Sequence, residues 1–165
     1  EVKEKFQKIV SVGAFEHFGK KFYKTFFKKI NNIMTDDGIC LLHTIGSVDS
    51  PGPMQPWIQH RIFPGGKIPS LSDLINPIEK TGLILADCET LIQHYDKTLK
   101  AWLDRFLENK DKAKFIYNKE FVRMWECYLS MCSAAFKFRD LVVYQLQLVK
   151  NFSALPSNRR NYIYQ

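Results

Sequence analysis

The residues of this chain that could do acid–base chemistry fall just after three predicted strands. Glu16 and His17 follow the first strand, His43 ends the second, and His94 with Tyr95 follows the third. Polar groups at neighbouring strand ends can converge on one pocket, because parallel strands end at the same edge of a sheet. A carboxylate and an imidazole held there could accept or donate a proton. The alternative is structural, a turn-stabilising glutamate and core histidines.

The cysteines offer a second kind of chemistry. None of Cys40, Cys88, Cys127 and Cys132 forms a CxxC pair, and the four histidines are not spaced as ligands. The sequence therefore predicts no metal site and no disulfide framework. Cys132 lies in the small-residue helical segment YLSMCSAAF, where it is either a functional thiol facing a close neighbour or a buried, inert one.

Alternating helices and strands position these residues. Apolar patterns predict strands at 6–12, 39–44, 83–91 and 141–149. Helical spacing predicts a helix at 20–34 and two more within 97–138. Asn76 followed by Pro77 indicates the N-cap and first position of another helix, which Gly82 closes. This order predicts an α/β fold with a mainly parallel sheet and flanking helices.

The segment 46–69 differs from the rest of the chain. It holds five of the seven prolines and four glycines, together with apolar side chains such as Trp57 and Phe63. We therefore expect an ordered loop or lid within a single domain that comprises residues 1–165.

The charge of the chain favours a polyanionic partner. Lysine and arginine number 24 against 17 acidic residues, a net charge of +7. Nucleic acid and an anionic membrane surface both fit this charge. No nucleic-acid-binding motif occurs, so we expect a membrane surface and no nucleic acid. The expected location is cytoplasmic, peripheral at the inner membrane surface.

Five segments resemble, in order, motifs of the cyclopropane-fatty-acyl-phospholipid synthases and mycolic acid cyclopropane synthases. They are IVSVGAFEHFG, GICLLHTIG, IFPGGKIPS, HYDKTLKAW and YLSMCSAAFKFRDLVVYQLQL. The resemblance covers nearly all of the chain and implies the C-terminal part of a Rossmann-like, S-adenosylmethionine-dependent methyltransferase fold. It also implies the family's reaction, the transfer of a methylene from S-adenosylmethionine to a cis double bond of a phospholipid acyl chain.

The resemblance implies the roles of particular residues as well. Glu16, His43 and Tyr95 match family residues that hold a bound bicarbonate, and the backbone of Ile45 matches a fourth contact. The bicarbonate would take the proton that leaves the new methyl group. Cys132 matches the sensitive cysteine of the family's active site. The implied catalytic set is therefore Glu16, His43, Tyr95 and Cys132.

The family's cofactor-binding region is represented only in part. Val12 and Gly13 match residues beside the sulfonium end of the cofactor, but no GxGxG loop occurs. We therefore expect that the N-terminal cofactor-binding half is missing, that the S-adenosylmethionine site is incomplete, and that the chain alone is inactive or nearly so. The strand at 6–12 would then be an open edge, available to an N-terminal half or to self-association. The alternative is a non-catalytic remnant that binds lipid or a membrane surface.

Overall fold

The structure is a computed structural model that describes residues 2–155 and 160–163. One four-stranded sheet runs through it, in the spatial order β1-β2-β4-β3. The strands are β1 (Phe6–Val12), β2 (Met34–Ser47), β3 (Ile84–Leu91) and β4 (Leu141–Val149). β1 lies at one edge, where Val12 is 62% exposed.

Helices cover both faces of this sheet. They are α1 (Tyr23–Ile33), α2 (Pro56–Arg61), α3 (Leu71–Glu79), α4 (His94–Glu108), α5 (Lys110–Ile116) and α6 (Lys119–Phe138). Short 3₁₀ turns occur at Phe15–His17, Lys20–Phe22, Phe152–Ala154 and Arg160–Ile163. Within the described ranges, no helix is both long enough and apolar enough to cross a membrane.

The α/β fold is confirmed, but the sheet is mixed and not mainly parallel. β1 pairs with β2 in parallel, whereas β4 runs antiparallel to both β2 and β3. The cause is the helix pair between β3 and β4. α4 leads away from the carboxyl end of β3, and α6 packs beside α4 and runs back. β4 therefore starts at the same edge of the sheet where β3 ends, and runs in the opposite direction. β1, β2 and β3 still run in one direction, so their carboxyl ends share one edge.

The alternation of side chains along β2 separates two cores. Cys40 and Leu42 face α1 and α3, in a fully buried cluster that includes Phe15 and Phe27. Ile45 points to the opposite face and joins a second cluster beneath α4 and α6. This period of two is the ordinary geometry of a strand buried on both faces. Of the candidate site residues, Ile45, Tyr95 and Cys132 belong to this second core.

Two element starts differ from the sequence-based prediction. β2 begins at Met34, directly after α1, and not at residue 39. α3 begins after Ser70, which with Asp73 forms a capping box, so the predicted N-cap at Asn76 is wrong. The box satisfies the backbone N–H groups of the first turn at Ser70. Pro77 lies inside the helix, where it removes only one backbone donor.

The helical region after β3 contains three helices where two were predicted. α4 starts at His94. The helical conformation is interrupted at Asn109, before α5, and again at Tyr117 and Asn118, before α6. The segment 46–69 begins inside β2 and includes α2. Trp57 and Phe63 from this segment pack against the second core. The sequence predicted from these side chains that the segment 46–69 is ordered. That this segment acts as a lid stays a prediction.

We expect Gly46→Ala to destabilise the chain by about 1–3 kcal/mol, as overpacking of a close-packed core does. A β-carbon at Gly46 would overlap the ring of Tyr144, whose hydroxyl donates to the carbonyl of Ser47 at 3.0 Å. Gly52→Ala is the matched control, because a β-carbon there lies 3.8 Å from its nearest neighbour. Urea denaturation measures both. Equal midpoints for the two variants would contradict the close packing at Gly46.

Candidate active site

The turn after β1 places a glutamate at the shared strand edge. Gly13 adopts a left-handed conformation (φ 63°), which favours glycine, and its N–H donates to the carbonyl of His43 at 3.1 Å. The 3₁₀ turn Phe15–His17 follows. Phe15 is fully buried against Tyr23, with ring centroids 4.3 Å apart, and anchors this turn. Glu16 is thereby directed inward and is only 9% exposed.

The two carboxylate oxygens of Glu16 differ in their surroundings. Oε1 accepts the backbone N–H of Ile45 at 2.5 Å. Oε2 is buried and accepts no hydrogen bond from any residue that the structure describes. A buried carboxylate oxygen without a donor is costly, so this oxygen is suited to a hydrogen-bond donor from a bound molecule. The carbonyl of Glu16 accepts the N–H of Lys67 at 2.8 Å, which joins the 46–69 segment to the site.

Tyr95 and Cys132 reach the same region from α4 and α6. Both pack into the second core, where the ring of Tyr95 lies 5.0 Å from that of Phe136. Burial raises the pKa of Tyr95, and the proximity of Glu16 and Cys132 raises it further. Burial also raises the pKa of Cys132, to about 11. At neutral pH, Tyr95 is therefore a hydrogen-bond donor and Cys132 a neutral thiol.

A polar contact that the sequence did not reveal holds α4 against α6. The hydroxyl of Ser133 donates to the carboxylate of Asp96, which Lys100 also contacts at 3.0 Å. The hydrogen bond from Ser133 is the main cause of the lowered pKa of Asp96. Asp96 and Ser133 each directly follow a predicted site residue, so this contact positions Tyr95 relative to Cys132. No sequence pattern predicts a contact between Asp96 and Ser133, which lie 37 residues apart.

An aromatic wall lies beside these groups. The ring of Phe63 packs edge-on to His17 at 5.8 Å and to Tyr128 at 6.0 Å, and Trp125 lies 5.1 Å from Tyr128. Burial raises the pKa of Tyr128, and the proximity of Cys132 adds to the shift. The sequence analysis did not place Tyr128 at the site. Its spacing of four residues from Cys132 on one helix is the signal that could have placed both on one face.

Two of the predicted anion contacts have other partners. The ring Nδ1 of His43 lies 3.1 Å from Nε2 of Gln145 on β4. In the described part of the chain, His43 makes no side-chain hydrogen bond to Glu16 or Tyr95. The N–H of Ile45 donates to Glu16. The structure thus brings together Glu16, Ile45, Tyr95 and Cys132, with His43 on the adjoining stretch of β2.

The fit to the implied small molecules is uneven. Oε2 of Glu16 fits the hydroxyl of a bicarbonate, and the Tyr95 hydroxyl fits one of its other oxygens. The N–H of Ile45 does not fit the predicted contact while Glu16 holds it. Beside Glu16, the turn at Val12 and Gly13 is exposed, and a β-carbon at Gly13 would meet no atom within 4 Å. This open surface fits a cofactor lying against the end of β1.

Comparison with known proteins places these features in one family. The family model described as mycolic acid cyclopropane synthetase matches residues 1–146. The cyclopropane-fatty-acyl-phospholipid synthase of Escherichia coli strain K12 is 38% identical over 146 residues, which cover 88% of this chain and 38% of that protein. The predicted resemblance is therefore confirmed.

Solved structures show the same fold. The mycolic acid cyclopropane synthase CmaA1, complexed with SAH and CTAB, is 30% identical and superposes with a TM-score of 0.82 over 90% of this chain and 56% of CmaA1. An N-methyltransferase of Haemonchus contortus, complexed with S-adenosylhomocysteine, is 13% identical and shares the fold with a TM-score of 0.74 over 91% of this chain and 35% of its own. The fold is that of the S-adenosylmethionine-dependent methyltransferases. The chain spans 38–56% of the two cyclopropane synthases.

We expect Cys132 to react with iodoacetamide at least about tenfold more slowly than Cys127 at pH 8, because only a thiolate is alkylated and burial protects Cys132. The rate at Cys132 should rise with pH up to its pKa of about 11. Peptide mapping by mass spectrometry follows both cysteines in one sample, so exposed Cys127 on the same helix serves as the control. Equal rates at pH 8 would contradict the buried site.

Proposed function

Because this chain belongs to the mycolic acid cyclopropane synthetase family, we propose that it forms the acyl-chain side of the active site of an S-adenosylmethionine-dependent cyclopropane synthase. In the proposed reaction, a cis double bond of a phospholipid acyl chain takes the methyl group of the cofactor. A proton then leaves the new methyl group and the three-membered ring closes, so that a methylene has been added overall.

The observation that carries this proposal is the buried, unpartnered Oε2 of Glu16 at the edge where three strands end. An enzyme that removes a proton from an apolar substrate needs an acceptor that is shielded from water. Glu16 can hold such an acceptor in place together with Tyr95, whose raised pKa keeps it a hydrogen-bond donor.

Each residue then has a definite role. Oε2 of Glu16 accepts, and the hydroxyl of Tyr95 donates, so the two can orient a small anion between them. A bicarbonate bound there would supply the base that takes the proton. The aromatic faces of Phe63, Trp125 and Tyr128 exclude water and favour the positive charge that develops on the substrate carbon. Asp96 acts as a positioning residue through Ser133.

The remaining part of the cofactor site is proposed to come from residues outside this chain. Val12 and Gly13 line one side of the open surface beside Glu16, and the chain spans 38% of the E. coli relative. Either an N-terminal half or a second copy joined along the exposed edge of β1 could complete the site. Calorimetric titration with S-adenosylhomocysteine separates these cases. Binding of S-adenosylhomocysteine by the chain alone would favour a site completed by a second copy of the chain. Absence of binding would favour a site completed by an N-terminal half.

Membrane association is part of the same proposal. The net charge of +7 favours an anionic phospholipid surface, where an acyl-chain substrate is found. We propose a peripheral association at the cytoplasmic face. Lipid binding without catalysis is the competing function. The effect of a substitution at Glu16 on methyl transfer distinguishes the two functions.

We expect Glu16→Gln to lower methyl transfer at least about 100-fold, because the amide loses one acceptor oxygen but can still accept the N–H of Ile45. The assay follows label from the methyl group of S-adenosylmethionine into vesicles of a monounsaturated phospholipid. Each protein is measured alone and mixed with the part of the E. coli relative outside the matched region.

Glu79→Gln at the end of α3 is the control, since it removes an exposed carboxylate far along the chain from the site. Circular dichroism establishes that both variants are folded. Transfer by the Glu16→Gln variant that is as fast as transfer by the unsubstituted chain would remove the basis of the proposed mechanism. Absence of transfer in every mixture, with vesicle binding intact, would favour lipid binding without catalysis.

A further inference from the structure

A cleft lies between α2 and the N-terminal half of α6. Its volume is about 690 Å³, and part of its wall is formed by Trp57, Met124 and Cys127. Such a wall suits a hydrocarbon chain, because a tryptophan ring and a methionine side chain adapt to an irregular apolar surface. No part of the proposed catalytic set lines this cleft, so it requires an explanation of its own.

Cations surround the same cleft. Arg61, Lys119 and Arg123 line it, against a single carboxylate from Glu120. None of the three cations forms a salt bridge with a residue in the ranges 2–155 and 160–163. Guanidinium groups match phosphate oxygens in charge and in geometry. An apolar wall with unpaired cations at its rim is the pattern expected for a phosphate that carries a hydrocarbon chain.

The cleft adjoins the second core through Trp57. Cys127 is followed by Tyr128, which packs beside Cys132, and Trp57 belongs to the same core as both. Arg123 and Cys132 are nine residues, or about two and a half turns, apart on α6, so they lie on opposite faces of that helix. The cleft therefore lies on the exposed side of α6, beside the second core and not inside it.

The C-terminal end of α5, with Tyr117 after it, carries the features of a membrane-facing tip. Phe115 is 91% exposed, Ile116 59% and Tyr117 62%. Exposed aromatic residues flanked by lysines are typical of segments that lie in the headgroup region of a bilayer. Lys112 and Lys114 precede this tip and Lys119 follows it at the rim of the cleft. The tip is therefore linked to the rim of the cleft through Lys119.

We propose that this cleft receives the phospholipid from the membrane, with Arg61, Lys119 and Arg123 holding the headgroup phosphate. The acyl chain then lies against Trp57 and Met124. This inference rests on the proposed function, because it assigns a docking surface to the substrate of that reaction. Its occupant is a membrane phospholipid and not a free phosphate.

The test removes two cations and measures binding to vesicles of phosphatidylglycerol by cosedimentation. Each basic residue near an anionic surface contributes enough that we expect the Arg61→Gln/Arg123→Gln variant to bind about thirtyfold more weakly. Lys8→Gln/Lys28→Gln lowers the net charge equally on β1 and α1, away from the cleft, and should weaken binding less than about threefold. Equal losses in the two variants would overturn the proposal.

A second measurement locates the lipid. Vesicles with brominated acyl chains should quench the fluorescence of the chain, and Trp57→Phe should abolish most of this quenching while Trp102→Phe leaves it. The opposite pattern would overturn the proposal. The proposal would also be overturned if the chain bound inorganic phosphate more tightly than vesicles and if the double arginine variant lost this phosphate binding. The cleft would then be a site for free phosphate.

These outcomes are separate from the fate of the proposed function. Vesicle binding that depends on the arginines, without methyl transfer in any mixture, would support the cleft and contradict the cyclopropane synthase. Methyl transfer that the double arginine variant retains in full, with unchanged vesicle binding, would support the synthase and overturn the cleft.

Discussion

The hydrogen bond between Glu16 and the N–H of Ile45 is the constraint on which the site depends. It joins the turn after β1 to the end of β2 and leaves the second carboxylate oxygen buried without a hydrogen-bond donor among the described residues. The same turn accepts the N–H of Lys67, so the segment 46–69 is held against the site. A buried carboxylate with half of its hydrogen bonds made is costly unless a bound group completes them. The position of Glu16 is therefore best understood through what binds there.

The electrostatics of the site follow from its burial. Burial raises the pKa of Tyr95, Tyr128 and Cys132, so each stays neutral at physiological pH. Charge in the site then comes from Glu16 and from whatever binds beside it. A single anionic centre among aromatic faces favours positive charge on a substrate carbon and does not add competing nucleophiles. Three cations of this basic chain, Arg61, Lys119 and Arg123, line the cleft by α6.

The direction of β4 has a consequence for the site. Because α4 and α6 form an antiparallel pair, Tyr95 at the start of one helix lies near Cys132 in the last turns of the other. The contact between Asp96 and Ser133 holds this arrangement. A single crossover helix would have made the sheet parallel but would have carried the chain away from the site. The antiparallel pair of α4 and α6 therefore accounts both for the mixed sheet and for the assembly of the second core.

Much of this could be predicted from the sequence. Side-chain periodicity places the strands and the two faces of β2, and the motifs around Glu16, His43, Tyr95 and Cys132 identify the family. Periodicity cannot give strand direction, because parallel and antiparallel strands share the same repeat of two, so β4 required the tertiary structure. The use of the Ile45 N–H by Glu16 and the pairing of His43 with Gln145 were likewise decided by tertiary contacts. Each donor can satisfy only a few acceptors, and which acceptor lies within reach depends on residues distant in the chain.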